Sequence, residues 1–241
     1  MGFARTYSVA LVGLRGHIVD VEADISQGLP GFVLLGLPDT ALNESKERVR
    51  SAAKNTGITL TQHRLTVNLT PATLPKRGSA FDLAIVVAAL QAEKKLHPSG
   101  DSVFLGELGL DGTLRPVPGI LPAVKAAVDA GHHRVIVPAE NAEEAALIPG
   151  AQVSGSRCLA EVFAALGAES QKLTYPPAPQ TEASAPAVKP AEIPSDMSDV
   201  AGQSQGRFAL EIAAAGGHHM LLTGPPGSGK TMLAERLPSI L

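Results

Sequence analysis

Two periods alternate along this chain and divide it into elements. Period-two runs mark half-buried strands: Ser8–Leu14, then Ile18–Ile25, and later Arg64–Leu69 (Arg-Leu-Thr-Val-Asn-Leu). Gly28-Leu29-Pro30-Gly31 reads as a turn leading into an apolar strand, Phe32–Gly36. Between strands, 43–55 has apolar positions at helical spacing on a charged background and closes at Gly57, an amphipathic helix. The run 82–91 is apolar all round, which predicts a buried helix after the loop Pro71–Arg77. Val103–Leu108 and Leu114–Val117 flank Asp111-Gly112 and read as hairpin partners. A helix over 121–130 stops at Gly131, a strand follows over 134–138, and helices are expected over 142–146 and 158–166. Strands and helices mix with hairpins, so the pattern predicts an α+β domain over residues 1–170.

The pattern then fails. Tyr175–Ser195 carries six prolines and no apolar period, which predicts a linker over 171–195. Periodicity resumes at 196–241 with a helix over 204–215, a short apolar strand His219–Thr223, and a helix over 232–237. Between these last two lies Gly224-Pro225-Pro226-Gly227-Ser228-Gly229-Lys230-Thr231, which fits G-x-x-x-x-G-K-[ST] in the order strand, glycine-rich loop, helix. Glycines let successive backbone N–H groups turn onto phosphate oxygens, and the helix start adds its partial positive charge. Lys230 has the reach for β/γ-phosphates, and the Thr231 hydroxyl is the expected Mg²⁺ ligand. ATP with Mg²⁺ is therefore the expected ligand.

Composition narrows the classes. With 44% hydrophobic residues but only 3% aromatic and no Trp, a core must be built from Val, Leu, Ile and Ala. A net charge of −3 with interspersed signs gives no electrostatic footprint for nucleic acid. Lys46, Arg48 and Arg50, and Lys76-Arg77, are the nearest basic clusters; a solvated face is the default for both, with a DNA-facing role for Arg48 and Arg50 as the alternative. The lone Cys158 excludes an intramolecular disulfide and suits a cytoplasmic protein; it reads as a packing residue. No signal peptide and no 18-residue apolar stretch is present, so a soluble protein without membrane association is expected. His132-His133 lack a third ligand at metal spacing, and His218-His219 sit as a cap before the loop strand.

Together these residues resemble the YifB/ComM family of magnesium-chelatase-like AAA+ ATPases. The resemblance runs through Gly28-Leu29-Pro30-Gly31-Phe32, Gly36-Leu37-Pro38-Asp39, 44–50, Asn68-Leu69-Thr70-Pro71-Ala72, Leu74-Pro75-Lys76, 78–83 and Gly106-Glu107-Leu108, and ends in the P-loop. It implies a Lon-protease-like (ribosomal S5 domain 2-like) α+β domain followed by the truncated start of an α/β P-loop AAA+ domain. Gly202-Gln203 match the family's box near the adenine. The resemblance further implies a homo-oligomeric ring, a hexamer, and DNA as partner of the full-length protein, with branch migration in natural transformation as the activity. A chelatase-type chaperone acting on a protein is the alternative, and a Lon-like Ser/Lys peptidase a third. For the peptidase, the nucleophile position falls on Ala80, one residue after Ser79. The lysine position falls on Leu121, one turn before Lys125, so the dyad is expected to be lost. No acidic strand end follows Thr231, so the chain is expected to be a fragment that binds nucleotide weakly and does not hydrolyse it alone.

Overall fold

Two long strands, β1 (Gly2–Val12) and β2 (Arg15–Ser26), pair antiparallel along their whole length, from Gly2 opposite Ile25 to Val12 opposite Arg15. Gly13, at φ +61°, takes the first position of the two-residue turn that joins them, a place where a side chain would be strained. This hairpin is the centre of a computed structural model that describes residues 2–36, 39–60, 63–177 and 196–241. The chain divides into two units, 1–177 and 178–241.

In the first unit β3 (Gly31–Leu35), a single-turn helix α1 (Thr40–Asn43) and α2 (Ser45–Asn55) follow the hairpin. Next come β4 (Arg64–Thr70), α3 (Asp82–Ala92), β5 (Val103–Phe104), β6 (Glu107–Leu108) and β7 (Leu114–Arg115). The unit closes with α4 (Ile120–Asp129), β8 (Arg134–Pro138), α5 (Ala142–Ala145), β9 (Gln152–Ser156) and α6 (Leu159–Ala165). Seven strands form one sheet in the order β3-β4-β2-β1-β5-β8-β9. The β3/β4, β1/β5, β5/β8 and β8/β9 pairs are parallel, and β2 pairs antiparallel with both β1 and β4. The unit is thus a mixed α/β layer structure with a mostly parallel sheet.

Alternation along β1 explains how the helices are distributed. Thr6, Ser8 and Ala10 face α3, where the Thr6 hydroxyl donates to the Ala84 carbonyl at 3.0 Å. Tyr7, Val9 and Leu11 belong to the second cluster, with Ile120, Val124 and Ala127 of α4. A strand buried on both faces needs a helix on each. All eleven residues of α3 are buried, as a helix apolar all round requires.

Three expectations change. Val103–Leu108 is not one hairpin strand: Val103 and Phe104 join the main sheet, and only Glu107 and Leu108 pair with β7. The chain breaks at Gly106, whose N–H donates to Ala80 O at 3.0 Å. The β9 strand was not expected, because Gln152-Val153-Ser154-Gly155-Ser156 has a single strongly apolar residue; its place on the sheet edge makes no demand for more. The run His219–Thr223 forms no strand and is mostly exposed, Leu221 at 84%. Among the described residues of the second unit no strand is present to pair with it, so its apolar pattern has no sheet to enter.

The second unit contains α7 (Ser204–Gly216) and α8 (Lys230–Arg236), with short 3₁₀ turns over 197–199 and 237–240. Its buried core consists of Met197, Val200, Leu210 and Leu233. Of the expected linker, residues 178–195 lie outside the described ones. At its start Thr174 N–H donates to Thr56 O at 2.9 Å and ties the chain to α2.

Candidate functional site

The glycine-rich loop is built by three left-handed or strained backbone positions: Gly224 (φ +156°), Gly227 (+80°) and Gly229 (+82°). A Cβ at Gly227 would meet nothing within 4 Å, so there is open space beside the loop at that position. Lys230, the first residue of α8, folds back over the loop. Its Nζ donates to Gly224 O (2.9 Å), Pro225 O (2.8 Å) and Ser228 Oγ (3.3 Å). An ammonium held by neutral acceptors at the loop's centre is the arrangement an incoming phosphate exploits, because charged oxygens are stronger acceptors than carbonyls. Thr231 lies beside it with an exposed side chain. Pro225 and Pro226 are exposed at the loop's rim.

The structure also brings Gly202 and Gln203 to this loop. Gln203 sits at φ +51°, rare for a residue with a side chain, after Gly202 at φ +75°. Its Nε2 donates to Ser228 O at 3.2 Å, and its backbone O accepts from Arg207 N–H at 2.9 Å. Behind the loop, α7 and α8 approach closely: a Cβ on Gly206 would lie 2.8 Å from Leu233 Cδ1. Residues 25 positions apart thereby share one site, a link that spacing alone could not supply. His218 and His219 are exposed, the former stacked against the Gly216–Gly217 turn. These residues fit a nucleotide and Mg²⁺: a cationic side chain held only by neutral acceptors, a glycine-rich loop and an exposed hydroxyl.

The remaining candidates are held elsewhere. Arg48 is turned inward rather than standing on a solvated face. Its Nε and Nη2 grip Asp82 Oδ2 and Oδ1 at 2.6 and 3.1 Å, and Asp82 is fully buried. Burial pushes the Asp82 carboxyl up, against the pull of Arg48 and of the Leu108 N–H. The Asp82 hydrogen bond in turn raises the Arg48 guanidinium. Arg50 lies over the Phe32 ring at 5.6 Å. His132 Nδ1 is 2.9 Å from Asp101 O, with its ring 4.5 Å from that of Tyr7, and His133 Nδ1 is 3.1 Å from Gly150 O. Cys158 is buried, and burial raises its thiol, which makes it a poor nucleophile. Among the described residues no group of three potential metal ligands is found, and no helix is long and apolar enough to cross a membrane.

Among the described residues no Ser/Lys dyad is assembled. Ser79 Oγ donates to Glu107 Oε2. Lys125 is 63% exposed and pairs with Asp129 at 2.7 Å on the outer side of α4. Lys76 is fully buried, but its Nζ donates to Pro71 O. Neither lysine lines the cavity beside Ser79 and Ala80. Sequence reasoning missed the Ser79–Glu107 and Arg48–Asp82 pairs, since their partners lie 28 and 34 positions apart.

Comparison with known proteins follows the same division. The family model described as subunit ChlI of Mg-chelatase matches residues 21–141, and a second one for magnesium chelatase, subunit ChlI, matches 196–241. An uncharacterised protein of Mycobacterium tuberculosis is 49% identical over all of this chain and 47% of its own length. YifB of Salmonella typhimurium is 42% identical over the whole chain and 46% of its own length. Competence protein ComM of Haemophilus influenzae is 39% identical over the whole chain and 47% of its own length. The chain therefore spans about half the length of these relatives. A Lon protease of Mycolicibacterium smegmatis is 28% identical over 55% of this chain and 18% of that protein, in keeping with a Lon-like α/β domain.

Proposed function

Because the chain belongs to the magnesium-chelatase ChlI family, in its YifB/ComM branch, we propose that it is the nucleotide-holding part of a chelatase-like AAA+ ATPase. ATP with Mg²⁺ is the ligand. The observation that carries this reading is Lys230, held at the centre of an open glycine loop by three neutral acceptors. Lys230 gives up those acceptors for phosphate oxygens, the loop N–H groups from Gly227 to Thr231 surround them, and the Thr231 hydroxyl holds the metal ion. Gly202 and Gln203 line the base end, where the Gln203 amide ties α7 to the loop. When bound, the nucleotide supplies the phosphoanhydride energy of the motor. Its acidic and arginine partners for hydrolysis belong to the whole protein's active site.

We place the work of the whole protein on DNA, since the relative ComM is named a competence protein, and in a homo-oligomeric ring, a hexamer, as membership of an AAA+ family suggests. A cytoplasmic setting fits the single buried thiol. In the full-length protein, Lys230→Ala is expected to lower nucleotide affinity and abolish DNA-stimulated ATP hydrolysis; hydrolysis unchanged by the substitution would overturn the reading. The second reading, a chelatase-type chaperone acting on a protein, is favoured by the family models' chelatase subunit. DNA binding by the full-length ring across a salt series separates the two, since phosphate contacts make affinity fall steeply with salt.

A further inference from the structure

A cavity of about 290 Å³ opens in the first unit beside Ser79. It sits at the carboxyl ends of two neighbouring parallel strands: Val9, Ala10 and Leu11 come from the end of β1, and Leu105 follows β5. Crevices at that end of a parallel sheet are where α/β folds bind ligands. The helices that frame it lie on opposite faces of the sheet, with Phe81 leading into α3 and Val117, Ile120 and Ala123 around the start of α4. The volume is at the small end of the range for ligand pockets, about 300 Å³ and upward.

Its polar groups are few and asymmetric. Arg77 lines the cavity and has no carboxylate partner among the described residues. The other arginines of this region are engaged: Arg48 on Asp82, and Arg115 3.8 Å from Glu107. Ser79 has its proton committed to Glu107, so its oxygen is left to accept. The backbone N–H groups of Ser79 and Ala80 have no acceptor among the described residues. Glu107 itself does not line the cavity, and its charge is shared between Ser79 and Arg115. An apolar chamber with one uncommitted guanidinium and two uncommitted N–H groups is complementary to a short hydrophobic body that ends in an anion with several acceptor oxygens.

We propose that this cavity binds a carboxylate carried on a small aliphatic or aromatic body, with the carboxylate on Arg77 and the body among Val9, Leu11, Leu105, Val117, Ile120 and Ala123. Two sources present that chemistry: a free medium-chain carboxylic acid, and the C-terminal residue of a polypeptide that ends in Leu or Phe. No bond is made or broken, because neither Lys76 nor Lys125 reaches Ser79 as a base. The pocket is independent of the nucleotide reading, since it uses no residue of the second unit.

Calorimetric titration of the intact chain with octanoate, with a hexapeptide ending in a free leucine carboxylate, and with the same peptide amidated tests it. Binding of octanoate alone assigns the free acid, binding of the acid peptide alone assigns the chain terminus, and binding of both assigns the shared chemistry. In each case the amide is expected to bind at least about tenfold more weakly, and Arg77→Gln to weaken the acids by about tenfold. Arg77 has no partner to lose, so its replacement leaves the thermal midpoint unchanged; Ala123→Leu, checked for folding by circular dichroism, is expected to block the chamber. Lys230→Ala is expected to bind these probes as the parent does. No binding of any probe, equal binding of acid and amide, or an Arg77→Gln variant that binds like the parent overturns the proposal. So does recovery of a cleaved peptide by mass spectrometry, which would mark a peptidase instead.

Discussion

Lys76 shows how much one side chain can be asked to tolerate. It is fully buried, and its ammonium donates to the Pro71 carbonyl with no carboxylate bound to it. Desolvation lowers its pKa from the ordinary 10.5. The folded protein therefore holds this proton less tightly than the unfolded chain does. In the window just below 10.5 the unfolded state binds more protons, so this group makes stability rise as pH rises, and it costs stability at neutral pH. Lys76→Met removes the charge and keeps the aliphatic length. The variant is expected to be as stable as the parent or more so at pH 7, and to lose the alkaline rise, so that the two urea midpoints converge between pH 7 and 10. A variant whose midpoint follows the parent's at every pH would show that Lys76 does not carry this cost.

Between elements, the Arg48–Asp82 pair ties three parts of the first unit together. It joins α2 to the first turn of α3, and the Leu108 N–H brings β6 onto the same carboxylate at 3.3 Å. Removing the carboxylate takes the 2.6 Å partner from a guanidinium that is only 19% exposed and leaves it the exposed Glu44 carboxylate at 3.9 Å. Asp82→Asn is expected to cost on the order of 3 kcal/mol by urea unfolding, whereas Arg48→Met with Asp82→Leu should recover most of it, because paired removal leaves no orphan charge. These elements show what the chain discloses by itself. The α3 helix was legible because eleven apolar or buried positions in succession leave only one environment. The phosphate loop was legible because its chemistry lies within eight consecutive residues. The split of Val103–Leu108 was not, since it is set by Gly106 bonding to Ala80, a contact 26 positions away. The weak apolar content of β9 hid it, and the strong apolar content of His219–Thr223 suggested a strand that has no neighbour to pair with. Patterns report what a segment could bury; its partners decide whether it does. For the same reason Gln203 was placed near the nucleotide by resemblance alone, and its bond to Ser228 became visible only in three dimensions.

At the scale of the molecule, the two units carry very different cores. The first unit's two clusters draw on more than thirty and on eleven buried apolar residues, and they pack against a seven-stranded sheet. The second unit buries Met197, Val200, Leu210 and Leu233, and its described residues include no sheet. Ordering a backbone costs conformational entropy at every residue, and the second unit has only this small core to set against it. The first unit holds its large shared core against the same kind of cost. Hydrogen exchange of the chain should therefore separate the units: amides of β1, β2, β4 and α3 are expected to exchange only through global opening, and those of α7 and α8 at least about a hundredfold faster. A saturating Mg-nucleotide binds only the ordered loop, and so should slow α8 and the Gly224–Thr231 segment without touching the first unit, by the factor that mass action sets. Equal protection in both units without nucleotide would mean that the second is held by more than its small core. Slowing confined to the first unit would place the nucleotide away from Lys230.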